Sequence, residues 1–445
     1  MYNFIARFLL NAKYPNFFKE LEKIWNNHYK EIEQLKDEQD YLLRKIVKFS
    51  FEHVPFYKKY SEENNISYND INYQEDINKL PLINKAIISE QKQLFFSDAK
   101  TKYINSSTGG STGEPLKYRL DKLCSKYNQL IKYRAWGISG YKPGDKLLIF
   151  AGGSLYNEKN RKVMAIKKLT NIVSFSSYGL KEADLLEIFS YIEKEKPNYF
   201  YGYASSWFIL ANFLIQKNLK LSYRPKALFS TSEILLLNQR KLIESILNVE
   251  VYDEYGLNDS GASAHECERH AGKHIDFERT ILQIYDKNGN LIENGTGNVI
   301  ATSLRNYSMP FLRYDTGDIA TVTSERCNCG RNTPRILSID GRQTDYLCVH
   351  GVYIGSPVLT VLMGKLDISM YRIIQEDNVN IHFHIFLAEK DNEKEKMLKE
   401  KIIGSFQPKL PEAEITIFFH NELTDFNIAN KHKFIINKTI VIEHE

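Results

Sequence analysis

The 445-residue chain predicts an α/β protein, with a large N-terminal domain of largely parallel sheet flanked by helices and a small C-terminal α+β domain. Three observations carry this expectation. Between residues 146 and 252, short apolar runs alternate with amphipathic stretches, the pattern of repeated β–α units. After residue 280 the texture changes to strands joined by turn formers. The last hundred residues read as strand, strand, charged helix, strand.

Taken in order, residues 17–50 carry apolar positions at mixed three- and four-residue spacing among many charges, which predicts one or two amphipathic helices. This belongs to an N-terminal helical segment of about residues 1–60. Lys146–Ala151 (KLLIFA) reads as a buried strand, and the charged stretch to Lys168 as a helix. Asn171–Phe175 is strand-like again, and Lys181–Lys196 is a strong helix stopped by Pro197. The alternation continues with strands at Asn198–Tyr201, Lys226–Phe229 and Val249–Tyr252, and helices at Ser205–Lys217 and Asn238–Leu247. In such sheets, ligands bind beyond the carboxyl ends of strands. Those ends are Gly202–Ser206, Ser230–Glu233 and Tyr255–Asp259, all small and polar. Ile281–Tyr285 and Gly297–Ser303 flank an Asp-Lys-Asn-Gly-Asn turn, a hairpin signal. Met370–Ile374, Val379–Leu387, Asp391–Ile403 and Glu414–Phe419 supply the strands and helix of the small domain. The domain boundary is expected at 340/341, giving domains 1–340 and 341–445.

Bulk properties bound the function. With 59 basic and 55 acidic side chains the net charge is +4, and no basic stripe suggests nucleic-acid binding. The longest apolar runs, such as Phe4–Leu10 interrupted by Arg7, are too short to span a bilayer. No signal-peptide layout precedes them, so a cytoplasmic location is the expectation. Five cysteines, an odd number in a chain of this kind, argue against a disulfide framework and leave metal binding open.

The strongest local signal is Ser106–Lys117, SSTGGSTGEPLK. Glycines let the backbone turn several N–H groups toward an anion, and hydroxyls add further donors. The run has neither Walker A nor Rossmann spacing. Taken alone, such a run is most often a surface loop. Three more segments accompany it: Tyr255-Gly256-Leu257-Asn258-Asp259, Tyr314-Asp315-Thr316-Gly317-Asp318 and Gly341-Arg342-Gln343-Thr344-Asp345.

In this order and with these separations, the four segments resemble the signatures of the adenylate-forming superfamily, which includes acyl-CoA ligases and peptide-synthetase adenylation domains. Val54-Pro55-Phe56-Tyr57, Leu80–Lys85, Tyr201–Ser206 and the Cys-x-Cys-Gly-Arg of Cys327–Arg331 resemble the branch of phenylacetate–CoA ligases and capsule-biosynthesis adenylating proteins. The resemblance runs from about residue 50 to the C-terminus. It implies ATP-dependent activation of a carboxylate to an acyl-adenylate with release of pyrophosphate. The acyl group would then pass to CoA, or to an amine or a sugar, as in surface polysaccharide biosynthesis. Two further readings stay open: an adenylyltransferase whose AMP adduct is the final product, and a non-catalytic nucleotide-binding homologue.

The resemblance also assigns residues. Thr108, Gly110, Ser111, Thr112 and Gly113 would hold the phosphates of ATP. Ser232 and Glu233 would approach the adenine, and Tyr255, beside Gly256, would stack on it. Asp318 would accept from the ribose hydroxyls and Arg342 would donate to the ribose or phosphate side. Asp259, in the place of the usual Glu, would help hold Mg²⁺, through water because its arm is one methylene shorter. Lys433, on the small domain that the resemblance makes mobile, would be the catalytic lysine. His432 stands there in place of the usual glycine, and Lys431 and Lys438 remain alternatives. A structural Zn²⁺ is expected at Cys267, His274, Cys327 and Cys329, a three-sulfur, one-nitrogen set. His270 competes with His274 because Cys-x-x-His is also a chelating spacing. Relatives of this branch favour His274 through a Gly-x-His matched by Gly272-Lys273-His274.

Overall fold

The computed structural model describes residues 2–108, 116–152, 161–177, 180–233, 235, 237–339, 346–355, 359, 362–363, 365–366, 368, 370–387, 390–421 and 435–439. Several sequence expectations therefore lie outside the described residues: the glycine-rich tip of the phosphate loop (Gly110, Ser111, Thr112, Gly113), the Gly341–Asp345 segment with Arg342, the 340/341 domain boundary, Lys431, His432 and Lys433. The chain divides into two compact units, one of residues 1–108, 116–145 and 252–342, the other of 109–115, 146–251 and 343–445.

The first unit holds the N-terminal helices Tyr2–Lys13, Phe17–Trp25, Ile32–His53 and Pro55–Asn64. Ile32–His53 buries Leu35, Leu43, Ile46, Val47 and Phe51, the apolar stripe seen in the sequence. Leu43, Ile46, Val47 and Phe51 join one core with Tyr57, Phe95, Met309, Phe311 and Tyr314. An antiparallel hairpin pairs Tyr103–Ser107 with Lys117–Asp121, and Ser107 lies opposite Lys117. The helix Lys122–Gly137 follows at once. Its start is set by Asp121, whose Oδ1 accepts from the Cys124 backbone N–H at 2.7 Å. Asp121 Oδ2 also accepts from the Tyr307 N–H at 2.5 Å. Asp121→Ala strands two buried donors, so it should cost about 2 kcal/mol in a denaturant midpoint assay. A midpoint within error of the parent would show that neither bond matters.

The same unit contains an antiparallel ladder. In spatial order it runs Leu291–Ile292, Thr280–Tyr285, Gly295–Ser303, Tyr314–Thr323, Arg335–Ile339, Lys273–Ile275, Ser263–Glu266 and Val251–Gly256. The expected hairpin is present: Asp286 Oδ1 accepts from the N–H groups of Asn288 and Asn290, both at 2.8 Å. The short strands Ser263–Glu266 and Lys273–Ile275 bracket the loop that carries Cys267.

The second unit contains the parallel sheet predicted from the β–α alternation. Its strands run Ile172–Ser176, Leu147–Ala151, Tyr199–Tyr203 and Ala227–Thr231 in spatial order. Leu147–Ala151 and Tyr199–Tyr203 are buried along their whole length, as continuous apolar strands covered on both faces should be. Helices Glu182–Glu195, Ala204–Gln216 and Leu237–Leu247 connect or follow them, and Trp207 is fully buried in the shared core. The C-terminal residues add a hairpin, Tyr346–Val349 with Val352–Gly355, and a four-stranded sheet. That sheet runs Glu414–His420, Asn380–Phe386, Met370–Gln375 and Ile435–Asn437. Helix Asn392–Phe406 buries Leu398, Ile402 and Phe406, and Asp391 caps it by accepting from the N–H groups of Glu393 and Lys394. This is the α+β arrangement expected of the last hundred residues. Lys438 lies there in a 2.6 Å ion pair with Glu376.

Candidate functional site

Two of the four motifs meet within the first unit. Strand Val251–Gly256 alternates its side chains across the sheet, which directs Tyr255 inward to a position only 9% exposed. Its hydroxyl donates to Asp318 Oδ2 at 2.9 Å, which fixes both the ring and the carboxylate. Asp318 is itself placed by a local turn. Gly317 adopts φ 72°, its N–H donates to Asp315 Oδ1, and the Asp318 N–H donates to Thr316 Oγ1 at 3.1 Å. Thr316 in turn anchors to the Val299 carbonyl at 2.9 Å. The Tyr-x-Thr-Gly-Asp segment is thus a device for holding one buried carboxylate still. Asp259 is buried as well: its Oδ1 accepts from the Ser260 N–H at 2.7 Å, and Tyr314 O–H lies 3.5 Å from its Oδ2.

Thr108 closes the base of the glycine-rich loop. Its N–H donates to the Leu116 carbonyl and its Oγ1 accepts from the Leu116 N–H, both at 2.9 Å. This hydroxyl holds the loop's two ends together. Ser232 and Glu233 belong to the other unit, just past the carboxyl end of strand Ala227–Thr231, and Ser232 has φ 68°.

Arg279 was not singled out in the sequence. It is only 5% exposed, and its Nε and Nη2 are buried without a hydrogen-bond partner among the described residues. Cys124, Asp276, Tyr118 and Asp259 are close enough to favour its charge, while burial works against it.

The cysteines converge. The ligand atoms of Cys267, His274, Cys327 and Cys329 all lie within 4.8 Å of one another. Cys267 Sγ is 3.9 Å from Cys327 Sγ, and Cys329 Sγ is 3.3 Å from His274 Nε2. Zinc–sulfur bonds near 2.3 Å in a tetrahedron place two sulfurs about 3.8 Å apart, so the donor spacing fits. His274 Nδ1 sits 3.1 Å from the Thr333 carbonyl, which selects the Nδ1–H tautomer and leaves Nε2 as the lone-pair nitrogen facing the sulfurs. Burial pushes the His274 pKa down to about 3, keeping the imidazole in its metal-binding neutral form. Burial pushes the Cys267 thiol up to about 12, whereas for Cys329 burial is outweighed by hydrogen bonds and charge from Arg331, which lower it. His270 is not part of this cluster: its Nδ1 is 2.9 Å from Glu266 Oε2.

A second group, His28, Asp276 and Glu278, lies nearby and has the donor types of a cation site. Its charge is already balanced. Arg134 donates Nη2 to Asp276 Oδ1 at 2.6 Å and Nη1 to Glu278, while His265 Nδ1 sits 2.7 Å from Asp276 Oδ2. These groups tie helix Lys122–Gly137 to the segment leaving the Cys/His cluster. Replacing Arg134 alone would leave two buried carboxylates without their cation.

No family model matches the chain. The phenylacetate–coenzyme A ligase of Thermus thermophilus is 26% identical over 330 residues, covering 72% of this chain and 73% of that protein. Protein CapK of Staphylococcus aureus is 24% identical over 408 residues, 88% of each. Among solved structures, 2-hydroxyisobutyryl-CoA ligase, in a complex with its acyl-AMP and CoA, superposes with a TM-score of 0.63 at 18% identity. That match covers 90% of this chain and 89% of the ligase, and shows a shared fold. The chain thus shares the fold of a solved acyl-CoA ligase and carries four ordered segments that resemble the adenylate-forming signatures. In sequence the chain is similar to phenylacetate–CoA ligases and to the CapK protein.

Among the described residues, no helix is long and apolar enough to cross a membrane.

Proposed function

We propose that the chain is an ATP-dependent ligase that converts a carboxylic acid to its acyl-adenylate and then transfers the acyl group to CoA. The observation that carries this reading is the buried Tyr255–Asp318 pair, built by two signature segments into one rigid donor–acceptor unit. The acid's carboxylate oxygen bonds to the α-phosphorus of ATP, the α–β phosphate bridge breaks, and pyrophosphate leaves. Asp318 accepts from the ribose hydroxyls, and the Tyr255 ring supports the adenine. Asp259 holds Mg²⁺ through water. Ser111, Thr112 and the backbone of Gly110 and Gly113 meet the phosphates, and Arg342 donates to the ribose or phosphate side. Lys433 supplies positive charge as the two anions approach. Ser232 and Glu233 approach the adenine edge. Residues 1–340 and 341–445 act as the large and small domains, with the junction as a hinge. An amine or a sugar is a second acceptor class.

Zinc, when bound by Cys267, His274, Cys327 and Cys329, supplies a structural cross-link between two loops of the first unit. It takes no part in the reaction. Coordination by neutral His274 and three thiolates suits zinc better than magnesium or calcium, which prefer oxygen.

Asp318→Asn should weaken ATP binding about tenfold by calorimetry, the loss expected for a hydrogen bond to a charged acceptor. An unchanged Kd would remove Asp318 from the ribose contact. Product analysis with ATP, a carboxylate panel and CoA tests the whole reading: acyl-CoA and AMP support it. An AMP adduct that accumulates and never transfers would favour the adenylyltransferase reading.

A further inference from the structure

We propose that the N-terminal helices Tyr2–Lys13 and Phe17–Trp25 form a docking face for an anionic phospholipid surface, on which the chain rests peripherally. The face uses no residue of the nucleotide site or of the Cys/His cluster, so it stands apart from the ligase reading.

Helix Tyr2–Lys13 (YNFIARFLLNAK) is apolar well beyond what its packing uses, since Ala6 is the residue it buries fully. Phe4 and Phe8, one turn apart, are 76% and 64% exposed. Single exposed hydrophobics are ordinary, but a pair at i, i+4 on one helix makes a continuous apolar strip. The helix that presents this strip is fixed to the body. Asn3 Nδ2 donates to Asp145 Oδ1 at 3.3 Å, and Gly144, at φ 95°, has the Asn3 backbone where its side chain would be. Tyr14, just past the helix, is buried, with its hydroxyl 2.8 Å from Ser125 Oγ.

Arg7 carries the face across to the second helix. Its guanidinium lies 4.0 Å over the Phe18 ring, and with Phe18, Lys19, Leu21, Glu22 and Trp25 it lines an open groove of about 520 Å³. Phe18, Leu21 and Trp25 follow three- and four-residue spacing, so one side of the helix supplies the apolar wall. Trp25 is 41% exposed, although its ring is seated on Gly137, where a Cβ would have no room. Charge says what covers this surface. The two helices carry Arg7, Lys13, Lys19 and Lys23 against Glu20 and Glu22, and Glu20 is paired with Lys126. Tyr2–Lys13 has no acidic residue. Aromatic and aliphatic side chains beside Arg and Lys let a helix lie in the headgroup layer of an anionic membrane, with its rings in the acyl boundary and its cations at the phosphates. Two copies of the chain packed through this face would bring like charges together instead.

Flotation of the full chain with vesicles tests this, using phosphatidylcholine alone and phosphatidylcholine with about one-third phosphatidylglycerol. The chain should bind the anionic vesicles at least about tenfold more tightly than the neutral ones, and about 0.5 M salt should weaken that binding. Phe4→Ser combined with Phe8→Ser should cut binding to anionic vesicles about tenfold or more. Its melting temperature should match the parent's, because both rings are exposed. Trp25 supplies a second readout, since Trp136 and Trp207 are buried. Anionic vesicles should shift the tryptophan emission to the blue, and Trp25→Phe should abolish the shift. Anionic vesicles that leave the chain in solution, or that bind the Phe4/Phe8 double variant as tightly as the parent, would overturn the proposal. So would a dimer in sedimentation velocity that the double variant converts to monomer, since a second copy would then cover the face.

Discussion

Lys433→Ala is expected to slow adenylate formation at least about a hundredfold while leaving ATP binding within a few-fold of the parent. The chemistry joins a carboxylate to a polyphosphate, so negative charge is concentrated in the transition state more than in either bound reactant. A cation aimed there lowers the barrier selectively, and removing one such contact typically costs 10²–10³ in rate. Lys438, the described alternative, lies in an exposed ion pair with Glu376. Lys438→Ala should therefore change the rate by no more than about twofold, because exposed pairs contribute little. Pre-steady-state measurement of adenylate formation in the two variants separates the candidates. A wild-type rate in Lys433→Ala would exclude that lysine from the chemical step.

Zinc removal should have the second large effect. Cys267 and Cys327 are 60 residues apart in sequence, and their sulfurs are 3.9 Å apart. A metal that closes this loop holds strands Ser263–Glu266 and Lys273–Ile275, which have little apolar surface of their own, against Arg335–Ile339. Metal binding free energy becomes folding free energy when the site exists only in the folded chain. Protein prepared without chelator should contain close to one zinc per chain, and Cys329→Ser should contain less. Stripping the metal, or Cys267→Ser, should lower unfolding stability by at least about 3 kcal/mol. Metal-free protein with an unchanged melting temperature would contradict this. Acid should release the metal as the thiolates take up protons.

The β–α alternation was legible because buried parallel strands are continuous apolar runs, as KLLIFA shows, and because Pro197 and the small polar strand ends punctuate them. Helix Lys122–Gly137 was missed for a physical reason. It buries Lys126 and Arg134 along with Leu130 and Ile131, so its buried face is partly charged and the apolar period is broken. Lys126 makes this tolerable by pairing with Glu20 at 2.5 Å, and Arg134 by pairing with Asp276 and Glu278. Those partners are distant in sequence. The strands SAHE and KHI escaped notice because they are short and polar, and are fixed by their neighbours in the ladder.

The candidate site divides in the same way. Tyr255, Asp259 and Asp318 were found because they sit in short segments whose spacing is diagnostic. The Cys/His set was found because Cys-x-Cys is rare enough to notice. Arg279 sits in Asp-Phe-Glu-Arg-Thr, which reads as an ordinary surface charge run. Only the tertiary fold shows that its guanidinium is buried, with Nε and Nη2 lacking a hydrogen-bond partner among the described residues.

Acyl-adenylate formation by this chain is read out by isotope exchange. Purified protein with Mg²⁺, ATP and labelled pyrophosphate should incorporate label into ATP only when a matching carboxylic acid from a panel is added. The exchange should need no CoA, because adenylation precedes transfer. It should fall sharply in Lys433→Ala and by about tenfold in Asp318→Asn at subsaturating ATP. ATP binding to the wild-type protein without exchange, across aromatic, aliphatic, hydroxy and amino acids, would contradict the account and point to a non-catalytic nucleotide-binding homologue.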